Sequence, residues 1–192
     1  MSLLRRRAMM AESGTGLSYI QCHDGAYINT EYIPNTETTT FEFCAAFPEP
    51  KFFNFGSYNG GNLSARCHAG AGNANNLVAY VYGSNNYIEI PYDNNYHIYR
   101  IFPTGSSVDD TQHLSFQSYP ARTSLYLFAR NGATPAVPAN VTACLKYAKI
   151  YEDDILSRSF IPAYHNEQYC LYEKIQGKYY YNAAGVGYFT GG

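Results

Sequence analysis

The run "TTTFEFCAAF", residues 38–47, constrains the fold more than any other stretch. Phe41, Phe43, Ala45 and Phe47 alternate with Thr40, Glu42, Cys44 and Ala46, a period of two that sends the two sets to opposite faces of a strand. The aromatic face is expected to be buried and the other solvated, with Glu42 an ordinary exposed carboxylate. "YHIYRIF" alternates in the same way. "LSYIQ" and "AYINT" flank a turn at His23–Asp24–Gly25, and "KFFNFG", "LSARCH", "LVAYVY" and "YIEIPY" are further short runs separated by Gly, Asn or Pro. The chain holds 21 Tyr and 11 Phe but no Trp, and 16 Asn beside 16 Gly, many of them clustered in "GNANN", "GSNN" and "DNN". Gly and Asn tolerate positive φ and Tyr tolerates a half-wet position, so this pattern predicts an all-β chain of short strands. There is no repeat of fixed period, which argues against a propeller or solenoid.

Two segments carry a less simple pattern. In "VTACLKYAKIYEDDIL" the positions Val141, Cys144, Leu145, Ala148, Tyr151 and Ile155 also fit a helical spacing, so residues 141–152 are open between a short helix and a strand. The following "ILSRSFIPAY" reads as a strand, which favours β throughout with "YEDDI" as the turn. "SLYLFARNG" reads as one core strand ended by the turn signal Asn131–Gly132, with Arg130 pairing locally.

Residues 1–16 are expected to form an N-terminal arm and linker, and residues 17–192 one domain, a length that single all-β domains commonly reach. Leu3, Leu4, Arg5, Arg6 and Arg7 would be the anchoring residues of that arm; the alternative is a disordered tail. Arg5–Arg7 carry +3 of a chain whose net charge is −2, leaving the body mildly acidic and without a basic stripe for nucleic acid. No run reaches the length of a membrane span, and the "AMMA" after the arginines is too short for the apolar core of a signal peptide. Five widely spaced cysteines with no C-x-x-C read as reduced thiols rather than a disulfide framework.

No catalytic residue is assigned. A glycosidase needs two carboxylates about 5–5.5 Å or about 6.5–9.5 Å apart across a sugar; Glu42 and Glu89 are the strand candidates. There is no G-x-S-x-G, and "AGAGNANN" lacks the lysine and helix of a phosphate loop. No metal or cofactor is assigned either. Cys22–His23 and Cys67–His68 point to opposite faces of their strands, and the loop oxygens of Asp93, Asn94, Asn95, Asp109 and Asp110 are more simply solvated than bound to calcium. Binding is the remaining chemistry. Tyr, Asn, Ser and Gly together give aromatic area with adaptable hydrogen bonds, suited to glycans or a protein receptor. Tyr58, Tyr82, Tyr87, Tyr92 and Tyr96 are the candidate ligand contacts, each with cross-strand packing as its alternative.

"YINTEYIPNTETTTFEF", "LYLFARNG", "AKIYEDDILSRSFIPAY" and "CLYEKIQGKYYYNAAGVGYFTGG" occur in that order. Together they resemble the concanavalin A-like (laminin-G-like) jelly-roll modules of tail, fibre and minor structural proteins of phages and prophages. The resemblance covers about residues 19–190, patchily in the middle third. It implies an antiparallel two-sheet sandwich whose last strand returns beside early ones. It further implies a non-enzymatic virion protein, made in the bacterial host cytoplasm, that decorates the particle or forms an appendage. Its partners would be other virion proteins through the arm, with host-surface glycans as a ligand class and a homo-oligomer, a trimer first, as the assembly. Nucleic acid and membrane are not among the partners expected. A glycoside hydrolase of the same sandwich fold and a bacterial adhesion module are the rival readings.

Overall fold

The computed structural model describes residues 16–35, 37–46, 54–58, 66–73, 76–80, 87–91, 94–109, 111–114, 123–131, 137–138 and 143–192. Among them there are strands and no helix. In chain order the first nine are β1 (Ile20–His23), β2 (Ile28–Asn29), β3 (Thr39–Ala46), β4 (Asn54–Tyr58), β5 (Arg66–Asn73), β6 (Asn76–Tyr80), β7 (Tyr87–Pro91), β8 (His97–Phe102) and β9 (Gly105–Val108). The others are β10 (Thr111–Leu114), β11 (Tyr126–Leu127), β12 (Ala129–Asn131), β13 (Val137–Pro138), β14 (Cys144–Glu152), β15 (Ile155–His165), β16 (Gln168–Glu173), β17 (Lys178–Tyr180) and β18 (Tyr188–Gly191).

The larger sheet runs β10-β9-β8-β3-β14-β15-β16-β17, with β1 beside β14 and β18 beside β1. The smaller runs β13-β12-β4-β5-β6-β7, with β11 bridging β2 and β4. Aromatic rings join the two. Phe43 of β3 stacks on Phe55 of β4 with ring centres 4.9 Å apart, and Phe55 meets Phe128, which meets Phe189 of β18. Phe41, Phe43, Phe55, Phe128, Tyr99 and Ile101 are fully buried in one cluster, so the chain is a two-sheet β-sandwich closed by apolar inner faces. The arm residues Leu3, Leu4, Arg5, Arg6 and Arg7 lie outside the described residues, as does Phe47.

Within the segment open between helix and strand, Cys144–Glu152 is a strand. β14 pairs with β3 along its whole length and, on its other edge, with β1 at Leu145 and Cys144 and with β15 from Ala148 onward. Pairing on both edges supplies partners that a periodicity argument over one segment cannot see. The turn "YEDDI" is also present, as a two-residue hairpin at Asp153 and Asp154, both with positive φ (47° and 63°). Asn166 and Glu167 make the same turn between β15 and β16, with φ of 49° and 60°. Both central positions of such a turn favour Gly or Asn, and a longer side chain there costs about 1–2 kcal/mol. Glu167→Gly is therefore expected to raise stability by about 0.5–1 kcal/mol after the entropy of the unfolded glycine is subtracted. Thermal melting checks this; an unchanged or lower midpoint would contradict it.

"SLYLFARN" departs from the single strand expected. β11 lies antiparallel to β4 at Tyr126 opposite Gly56, whereas β12 lies parallel to it, with Arg130 opposite Gly56 and Asn131 opposite Ser57. The chain reverses at Phe128, whose φ of 69° is left-handed. That conformation is costly for an aromatic residue, and the contacts of its buried ring with Phe55 and Phe189 hold it there. Asn131 does more than end a strand. Its Nδ2 donates to the Ser124 carbonyl and hydroxyl, both at 3.1 Å, closing the loop from within. Gly132 and the Arg130 side chain lie outside the described residues.

Candidate functional site

The outer face of the larger sheet is a built polar surface. Strand register aligns Ser107, Arg100, Glu42, Lys149 and Ser159 side by side across β9, β8, β3, β14 and β15. Alternation puts all five on the side away from Phe41, Phe43, Tyr99 and Ile150. Here the expected solvated Glu42 needs correcting: it is only 3% exposed. β3 sits in the middle of the sheet, so long side chains from β8 and β14 close over it. Arg100 Nε donates to Glu42 Oε2 at 2.6 Å, and Lys149 Nζ donates to Oε1 at 3.3 Å. The bond to Glu42 raises the pKa of Arg100 further above its already high value. Burial, then the Glu42 charge, pushes the neighbouring Tyr147 phenol up, and Lys149 Nζ lies 4.6 Å from the centre of that ring.

Arg100 separates two open grooves on this face. One, of about 460 Å³, runs past Thr38, Thr40, Phe102 and Ser107 toward Glu37, Asp153 and Asp154. The other, about 480 Å³, is lined by Glu42, Ile98, Arg100 and Asp109. Asp109 is fixed by the Ile98 N–H at 2.9 Å and paired with His97 Nδ1 at 2.7 Å, so it anchors the strand end. Glu37, Asp153 and Asp154 are exposed turn residues.

Across β15–β17 the same face turns aromatic. Ile161 lies two residues beyond Ser159 and pairs with Tyr172, which pairs with Tyr179. The Tyr172 and Tyr179 rings are 4.9 Å apart, His165 stacks on Tyr179 at 3.9 Å, and His165 Nδ1 hydrogen-bonds the Tyr181 hydroxyl at 2.5 Å.

The five tyrosines named from sequence fall largely outside the described residues. Tyr58 and Tyr87 fall on β4 and β7, separated by β5 and β6, and their side chains lie outside the described residues, as do Tyr82 and Tyr92 altogether. Tyr96 is half-buried just before β8. Lys146 Nζ sits 4.1 Å from its ring centre, and burial followed by Cys144 pushes its phenol up to about 12. Cys44, Cys144 and Cys170 are free thiols, and burial raises Cys22 to about 12 and Cys170 to about 11. Cys22 faces the core while His23 faces out, stacked on Tyr188 and bonded to Thr190 Oγ1 at 2.9 Å, so that dipeptide divides between two faces. Glu89 lies on β7 of the smaller sheet, opposite Val78, whereas Glu42 lies on the larger. Alternation in "TTTFEF" assigned Glu42 to the face opposite the phenylalanines; its shared register with Arg100, 58 residues away, had no sequence signal. Comparison with family models finds no match, and comparison with curated proteins finds none either.

Proposed function

We propose that this sandwich is a jelly roll of the concanavalin A-like type and serves as a non-enzymatic component of a phage or prophage virion. In this reading residues 1–16 anchor it to other virion proteins and its polar surfaces face host glycans. The observation that carries the reading is the ordered set of resembling segments. "AKIYEDDILSRSFIPAY" and "CLYEKIQGKYYYNAAGVGYFTGG" fall on the successive strands β14–β18 of one sheet, and "LYLFARN" on β11 and β12. Glu42 and Glu89, the strand carboxylates the rival hydrolase reading would use, lie on different sheets, which supports binding over that reading.

The anchoring role is tested by deleting residues 2–12. The variant is expected to keep its melting temperature while its incorporation into particles is lost, measured by immunoblotting of purified particles. Incorporation equal to that of the full chain would contradict the anchor.

A further inference from the structure

The outer face of the larger sheet has a chemistry that selects its ligand. The row from Ser107 to Ser159 crosses five strands, which at the usual spacing of about 4.8 Å is about 19 Å long. Its centre carries one more positive than negative charge: Glu42 is buried and both of its oxygens are engaged, by Arg100 and by Lys149. The Arg100 side chain is still 53% exposed and lines both grooves. Cations therefore stand at the middle of the face and the acids Glu37, Asp153, Asp154 and Asp109 at its rim. A polyanion would meet the acids and a polycation would meet Arg100 and Lys149, each at a like-charge cost. An uncharged polyhydroxyl chain finds donors and acceptors without either penalty. Beyond the row, Tyr172 and Tyr179 form a cross-strand pair with polar tips. Ring surface beside a few convergent polar groups suits the apolar face and hydroxyl edge of a sugar.

We infer that this face binds an extended, uncharged polysaccharide running across the strands, hydrogen-bonded along Arg100 and Lys149 and in contact with the edge of the Tyr172–Tyr179 pair. The inference rests on the glycan-facing reading above and places the site on a sheet face instead of at Tyr82 and Tyr92, the contacts expected from sequence.

The test is affinity electrophoresis of the full chain in gels containing a neutral polysaccharide (dextran, mannan or galactomannan) or an anionic one (alginate). At least one neutral polymer is expected to retard the chain, at low and high salt alike, and alginate is not. Tyr179→Ala and, separately, Lys149→Gln are expected to weaken that retardation at least tenfold, with melting temperature as the folding control on each. Retardation that survives both face variants but is lost in Tyr82→Ala or Tyr92→Ala would overturn the inference and leave the glycan-facing reading standing. Retardation by alginate alone, relieved by salt, would overturn the assignment of an uncharged ligand. No retardation by any polymer would overturn the inference together with the glycan part of that reading, while the particle assay judges the virion role independently.

Discussion

Gly187→Val is expected to lower stability by about 3 kcal/mol or more, the largest loss from any single glycine of the last strand's approach. Gly187 has a φ of +67°, left-handed, where a β-branched residue is a steric outlier. A β-carbon there would also stand 2.7 Å from both the Ala26 nitrogen and the Asp24 carbonyl oxygen, and closer still to the carbonyl of His23. All three atoms are backbone of the turn after β1, so no side chain can swing aside. That turn positions β1, which pairs with β18 from Ile20–Gly191 to His23–Tyr188. Gly185 provides the comparison, with a φ of +69° and nothing within 4 Å of the place a β-carbon would occupy. Gly185→Ala should therefore lose only the conformational cost, about 1 kcal/mol. Urea unfolding of both variants checks the contrast; equal losses would contradict the steric argument.

Glu173→Ala is expected to cost about 3 kcal/mol, and Glu173→Gln clearly less. Glu173 is fully buried at the end of β16. Its Oε1 accepts the Ser159 and Ile175 N–H groups at 2.8 and 3.0 Å, and Oε2 accepts that of Gln176 at 2.6 Å. One carboxylate thus satisfies the turn into β17 and the adjacent edge of β15. Alanine strands three donors and leaves a void. Glutamine keeps an acceptor oxygen but sets its NH₂ against one of those donors. Urea midpoints measure the order, and hydrogen exchange at Ile175 and Gln176 should rise first. An alanine variant as stable as the glutamine one would contradict it.

What the sequence made legible was local. Alternation in residues 38–47 and 97–102 marked strands, and paired turn residues at Asp153–Asp154 marked a hairpin, because both signals act over a few residues. Phe128 carried no such signal: its left-handed backbone is imposed by Phe55, Phe189 and the Asn131 clasp rather than by its own preference. Glu42 was misplaced for a related reason. Period two assigns a side chain to a face, but whether neighbours cover that face depends on register with strands 58 and 107 residues away. The tyrosines singled out in Asn-rich stretches were chosen by composition. The tyrosines that the structure sets side by side, Tyr172 and Tyr179, meet through a hairpin register that composition does not encode.

Quantitative peptide mass spectrometry of purified particles tests the virion reading most directly. The account predicts peptides of this chain at a fixed ratio to the major capsid protein, retained through high-salt washing. Peptides found in the lysate but absent from the particles would contradict it.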